Sequence, residues 1–168
     1  MPESYAVRLA KDYFIFSAAH FITFNGNVCE RLHGHNYRVF AEWEGPLDDN
    51  HYVVDFIALR DVLKSLIDPL DHHVLLPTDH PLIQVRVETQ EVTATFETRR
   101  WVFPREDCVL LPVANTTAEL IACYLAHQLL DAVKRRGWNT PTQLRIGVDE
   151  NQGQWAIYTW REESSSLV

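Results

Sequence analysis

The chain has 168 residues, 46% of them hydrophobic and 23% charged, and its 15 Lys+Arg against 23 Asp+Glu give a formal net charge of −8. This length and composition suit one globular domain with a buried core and exclude a mainly disordered chain. No stretch approaches the ~18 apolar residues of a membrane span, and the acidic balance disfavours a nucleic-acid partner, which calls for a basic stripe.

Around the N-terminal residues Glu3, Arg8, Lys11 and Asp12 there is no apolar h-region, so no secretory signal is expected. Three cysteines, an odd number without an export signal, point to free thiols in a reducing cytoplasm. A small anionic substrate stays compatible with the net charge, because local charge decides such binding.

Residues 5–18 are rich in β-branched and aromatic side chains and read as a strand. Asn25-Gly26-Asn27 marks a turn. Residues 32–44 alternate around Tyr37, Val39, Ala41 and Trp43 and read as a second strand. From Asp55, a plausible N-cap, the period changes: Phe56, Leu59, Leu63, Leu66 and Ile67 lie at helical spacing, and Pro69 ends the helix. Val85 to Val113 predicts one or two extra hairpins. A second helix opens at Thr116 or Thr117, with Glu119 in its first turn where the helix dipole favours a carboxylate, and stops at Gly137. Residues 143–149 and 154–160 form the last two strands around the turn Asn151-Gln152-Gly153. The order ββα, insertion, αββ predicts an α+β domain: a four-stranded antiparallel sheet with two helices on one face. The tail from Glu162 to Val168 reads as frayed.

The strongest local chemical signal is His33-Gly34-His35. On a strand, residues i and i+2 share a face, so the two imidazoles sit side by side as a metal requires. His20 ends the preceding strand, and antiparallel pairing would bring it to the same place. Three imidazoles with an open fourth position make a catalytic zinc site, whereas structural sites are usually closed by four protein ligands. The alternative is a pair of solvated strand histidines. Cys29 precedes the pair in the pattern C-x-x-x-H-G-H. A thiol beside a metal has a lowered pKa and serves as base or nucleophile; otherwise it is a small buried hydrophobe, the better reading for Cys108 and Cys123. In Leu70-Asp71-His72-His73, Asp71 can orient His72 for proton relay, although such a loop is often structural. Glu119 and Glu150 are carboxylates at element boundaries. Such a group accepts paired hydrogen bonds from the amidine-like edge of a pterin or guanine, or is a helix-start or turn charge.

Taken together in chain order, His20, Cys29, His33-Gly34-His35-Asn36-Tyr37, Val54-Asp55-Phe56, Leu70-Asp71-His72, Thr117-Ala118-Glu119 and Glu150 with Tyr158 resemble the 6-pyruvoyltetrahydropterin synthase family. That family includes the 6-carboxytetrahydropterin synthases of queuosine biosynthesis. The resemblance covers nearly the whole chain as a single domain, 1–168, and implies a tunnelling fold of ββααββ subunits. Trimers close their sheets into a barrel, and two trimers stack into a homohexamer with sites between subunits. It implies zinc bound by His20, His33 and His35, and Cys29 as proton-abstracting thiolate with Asp71 and His72 completing the relay. Glu150 would anchor the pterin, helped by Glu119 and Thr117. The implied substrate is 7,8-dihydroneopterin triphosphate and the implied product 6-carboxy-5,6,7,8-tetrahydropterin. The alternatives are a pyruvoyl pterin or another pterin product, and a non-catalytic pterin- or purine-binding protein. Lys11, Arg31 and Arg38 are candidates to offset the triphosphate charge.

Three features depart from the family pattern. Leu75-Leu76-Pro77 stands where an Asn is common, Thr116 where a Pro is frequent, and an insertion of about 77–114 replaces a shorter connection. Such an insertion could reshape or lid the pocket. Some family variants use a glutamate base in the loop before the paired histidines and shorten the side chain to hydroxymethyl. Here Cys29 and Glu30 are both present, and the spacing favours Cys29.

Overall fold

The computed structural model describes residues 4–163, so the expected frayed tail lies outside them apart from Glu162 and Glu163. In chain order the elements are β1 (Tyr5–His20), β2 (Thr23–Phe24), β3 (Val28–Cys29), β4 (His33–Gly45), α1 (Phe56–Ile67), β5 (His73–Pro77), β6 (Gln84–Val87), β7 (Glu91–Phe96), β8 (Arg99–Pro104), β9 (Cys108–Leu111), α2 (Ala118–Arg136), β10 (Gln143–Asp149) and β11 (Trp155–Arg161).

Both helices start where their caps dictate. The Asp55 carboxylate accepts from the backbone N–H groups of Ile57 and Ala58 at the start of α1, and the Thr117 hydroxyl accepts from Leu120 N–H at the start of α2. Gly137 ends α2 in the left-handed conformation, φ 66°, which glycine adopts without a steric penalty. Lys134, Arg135 and Arg136 fill the last turn, where the dipole favours cations.

The main sheet runs β11-β10-β4-β1-β5-β9. Its first four strands are antiparallel neighbours. The expected four-stranded sheet is therefore present but extended: β5 adds in parallel to β1, and β9 in parallel to β5. The reason is burial on both faces. Leu75 and Leu111 enter the core under the helices, while Leu76 and Cys108 enter a second core on the opposite side, under the insertion. Continuous apolar runs of this kind belong to strands covered twice, and parallel strands are usually of that kind. The insertion also differs from the expected hairpin. Its β6, β7 and β8 form a three-stranded antiparallel sheet, and β9 leaves it to join the main one.

The helix-facing side of the main sheet follows strand alternation. Phe14, Phe16, Ala18 and His20 on β1 are buried beside Tyr37, Val39, Ala41 and Trp43 on β4. They pack beneath Leu59, Leu63 and Ile67 of α1 and Ile121, Leu125 and Leu129 of α2. The Phe16 and Tyr37 rings stack with centroids 4.7 Å apart. Pairing between β1 and β4 jumps from Ala10↔Phe40 to Ile15↔Arg38, a bulge in β1 that re-aims the far half of the strand. The other face holds Phe40 against Gly147, its partner on β10. A Cβ on Gly147 would lie 2.0 Å from the Phe40 ring, so the ring occupies the space glycine leaves.

Candidate active site

The register of β1 and β4 pairs His20 with His33 and Ala18 with His35. Because paired and alternating residues share a face, the three imidazoles meet at the end of the helix-covered side of the sheet. Ring centroids lie 4.8 Å apart for His20 and His33, 5.3 Å for His20 and His35, and 4.8 Å for His33 and His35.

Two of the rings have their protons assigned by the backbone. His20 Nδ1 lies 2.8 Å from the carbonyl of Thr116, and His33 Nδ1 lies 2.8 Å from the carbonyl of Arg31. A carbonyl only accepts, so both Nδ1 atoms donate and both Nε2 atoms keep their lone pairs. Metal-binding histidines are commonly fixed this way through the other ring nitrogen. Burial pushes His20 down to about 4, with His33 and His35 adding to the effect against the Thr116 hydrogen bond, so the ring is neutral at pH 7. The buried Tyr37 hydroxyl donates to His20 Nε2 at 3.1 Å. Burial, with Glu150 and Glu30 nearby, raises its pKa and keeps it protonated.

Glu150 joins the cluster from just beyond β10. The preceding carboxylate, Asp149, is buried and accepts from the N–H groups of Gly153 and Gln154, which fixes the turn and sets the direction of Glu150. Glu150 Oε1 lies 3.1 Å from His35 Nε2 but without hydrogen-bond geometry. His35 Nε2 is thus a buried nitrogen with no hydrogen-bond partner. Ligand atoms of His20, His33, His35 and Glu150 all lie within 4.8 Å of one another. An orphaned buried nitrogen, two backbone-fixed imidazoles and a carboxylate fit a divalent cation of the zinc type. Glu119, exposed in the first turn of α2, faces Glu150 across a cleft of about 460 Å³ that Gly153, Gln154 and Trp155 also line. The Thr117 hydroxyl is engaged as the α2 cap.

Asp71 and His72 form a pair. Asp71 Oδ1 accepts from Ser17 N–H at 2.8 Å, and Oδ2 lies 2.9 Å from His72 Nδ1. The Ser17 and His72 contacts hold the Asp71 carboxyl below its ordinary value. With Nδ1 donating to the carboxylate, His72 Nε2 is free to take a proton. His72 is exposed at a left-handed φ of 59°, and its own N–H donates to Ser17 O. The side chain borders an open cleft of about 530 Å³ with Ser17, Gly34, His35 and Asn36.

Cys29 ends β3 of the short β2–β3 hairpin and Glu30 follows it, and the two side chains separate in space. Cys29 packs against the second core, and burial raises its thiol pKa. Its Sγ donates to Glu30 O at 3.5 Å. Glu30 instead reaches the histidines, with Oε2 3.8 Å from His33 Nε2. Among the described residues the ligand cluster includes Glu150 and leaves out Cys29. Lys11, Arg31 and Arg38 are exposed; Lys11 and Arg38 border one cleft beside the β1 bulge. Tyr158 is half-buried with its hydroxyl 3.3 Å from His127 Nε2. The sequence marks Thr116 and Tyr37 but not the hydrogen bonds that the Thr116 carbonyl and the Tyr37 hydroxyl make to His20.

A family model described as 6-pyruvoyl tetrahydropterin synthase matches residues 9–161. A Methanocaldococcus jannaschii protein provisionally named 6-carboxy-5,6,7,8-tetrahydropterin synthase is 33% identical over 85% of this chain and 88% of its own. The Bacillus subtilis protein named 6-carboxy-5,6,7,8-tetrahydropterin synthase is 30% identical over 92% of this chain and 86% of its own. Among solved structures, the 6-pyruvoyl tetrahydropterin synthase of Plasmodium vivax superimposes with a TM-score of 0.86 at 28% identity, covering 96% of this chain and all of that one. Two further structures of that protein replace a residue described as catalytic, a glutamate, with alanine or cysteine. The histidine cluster, the α+β fold and these matches place the chain in the 6-pyruvoyl tetrahydropterin synthase family.

Proposed function

We propose that the protein is a zinc-dependent pterin lyase acting on 7,8-dihydroneopterin triphosphate, with 6-carboxy-5,6,7,8-tetrahydropterin as its product. The observation that carries this reading is the convergence of His20, His33, His35 and Glu150 beside a cleft that also exposes Glu119. The names of the relatives support the product.

His20, His33 and His35 would hold the metal through Nε2. A bound zinc ion supplies Lewis acidity to the side-chain hydroxyls of the substrate. Glu119 and Glu150 accept hydrogen bonds from the N–H edge of the pterin ring, and Thr117 supports them by starting the helix that carries Glu119. His72, oriented by Asp71, moves a proton through its Nε2. Residue 29 or 30 supplies the second proton-moving group. Water enters, and triphosphate and acetaldehyde leave. The protein works as a homohexamer, a dimer of trimers. Trp155 and Ile157, exposed apolar residues on the edge strand β11, support association there.

A second reading rests on Glu30. Its carboxylate, and not the Cys29 thiol, lies near His33, and a glutamate is the residue replaced in the Plasmodium vivax variants. With Glu30 as base the product would be a shortened pterin carrying a hydroxymethyl group.

Incubating zinc-loaded protein with 7,8-dihydroneopterin triphosphate and weighing the product decides between them. A carboxylated pterin with acetaldehyde is expected. A hydroxymethyl or pyruvoyl pterin would reassign the reaction, and unchanged substrate would overturn the lyase reading. Cys29→Ala should abolish turnover while keeping zinc; if Glu30→Gln abolishes it instead, the base is Glu30.

A further inference from the structure

The loop that carries Cys29 and Glu30 has little structure of its own. It rests on a hairpin whose strands, β2 and β3, have two residues each, too short to hold a backbone without outside support. That support comes from the insertion. Arg99, the first residue of β8, donates through Nη1 to the carbonyl of Cys29 at 2.7 Å and through Nη2 to the carbonyl of Glu30 at 2.8 Å. A guanidinium presents its donors in one rigid plane, so a fork on two successive carbonyls fixes the peptide between them.

The fork is itself held. The Arg99 guanidinium lies 4.6 Å from the Trp101 ring centroid, and Trp101 stacks on buried Phe21 with centroids 4.3 Å apart. Phe21 directly follows the metal-site residue His20. Arg99 also follows a two-residue turn in which Glu97 takes a left-handed φ of 50°. This conformation is uncommon outside glycine and persists only where the surroundings enforce it. A second tether runs from the insertion to the same loop. His80 Nδ1 accepts from the N–H groups of Leu82 and Ile83, which leaves Nε2 to donate to Thr23 Oγ1 at 2.7 Å.

We propose that Arg99 is a positioning residue of the reaction: by clamping the carbonyls of Cys29 and Glu30, it fixes which of these adjacent side chains faces the histidine cluster. The insertion thereby acts as a scaffold for the loop, holding Cys29 toward its own core and Glu30 toward His33. This inference rests on the lyase reading with Glu30 as the base, the side chain that the clamp turns toward His33; the contact of Arg99 with the loop stands without it.

The test uses the zinc-loaded full chain and the variants Arg99→Ala and Arg99→Lys, with two readouts. The first is steady-state turnover of 7,8-dihydroneopterin triphosphate. Arg99→Ala should lower kcat by about a hundredfold, the scale on which a small misplacement acts, with KM and zinc content little changed; the single ammonium of Arg99→Lys should restore only part of it. Partial recovery of kcat in Arg99→Ala by millimolar guanidinium would separate positioning from a folding defect. The second readout is peptide-resolved alkylation of Cys29 by iodoacetamide, which does not depend on the substrate. It should speed up several-fold in Arg99→Ala as the loop is released from the insertion core. Unchanged Cys29 labelling, or faster labelling with wild-type kcat, would overturn the proposal. If the wild-type protein leaves the pterin untouched, the lyase reading fails, and the labelling rate alone decides whether Arg99 clamps the loop.

Discussion

His20 Nδ1 donates to the carbonyl of Thr116 across 2.8 Å, joining the end of β1 to the residue before the α2 cap. One hydrogen bond therefore does two things. It fixes the tautomer that leaves His20 Nε2 available to a metal, and it ties the helix bearing Glu119 to the strand bearing the ligand. The histidine cluster and the start of α2 are locked together by a contact between a side chain and a main chain 96 residues apart.

The same burial makes the metal-free protein acid-sensitive. His20 is held down to about 4 by burial, and buried His80 is lowered by the same cause. In the unfolded chain both rings return toward 6.5, the ordinary histidine value. Below that pH the unfolded state binds more protons, so stability falls as pH falls. The loss from His20 should run between about pH 6.5 and pH 4 and amount to roughly 3 kcal/mol. Urea unfolding of the metal-free protein at pH 7, 5.5 and 4.5 should show a midpoint that drops steadily; a flat profile would mean the rings are not buried neutral.

Asp71→Asn should keep the acceptor for Ser17 N–H but remove the charge beside His72. Folding should be nearly unaffected, whereas kcat should fall by about a hundredfold or more, the usual scale for a disabled acid–base group. Matching circular dichroism with a reduced kcat is the expected pair of results. Wild-type kcat would leave the pair with a structural role only.

Gly147→Ala tests the packing behind the site. Its methyl would meet the Phe40 ring at 2.0 Å, and both positions lie in paired central strands. Overpacking of this kind costs about 1–3 kcal/mol. Denaturant unfolding should show that loss, and adding Phe40→Leu should return part of it. A neutral Gly147→Ala would show that the ring can move aside freely.

Much of this site was legible because it is built on period-two strands. His33 and His35 had to share a face, and His20 had to meet them once β1 and β4 paired. Both helix starts were legible from Asp55 and Thr117, and the Asp71–His72 pair from simple adjacency. The parallel strands were not. Leu75-Leu76-Pro77 and Val109-Leu110-Leu111 are short apolar runs, and such runs do not name their partners. The choice between Cys29 and Glu30 was also hidden. Cys29 packs toward the insertion core and Glu30 toward His33, and the Arg99 contact to their two carbonyls comes from 69–70 residues away. Hydrogen bonds to main-chain oxygens leave no trace in side-chain patterns, which is also why the contact of the Thr116 carbonyl with His20 could not be read in advance.

The central claim is that His20, His33 and His35 converge through their Nε2 atoms on one divalent ion. X-ray absorption at the zinc edge of the reconstituted protein measures this directly. The expected spectrum has stoichiometric zinc with imidazole nitrogens at about 2.0–2.1 Å and no sulfur neighbour, and His33→Ala should drop the zinc content well below one per subunit. A sulfur shell at about 2.3 Å, or full zinc occupancy in His33→Ala, would contradict it and put the metal elsewhere.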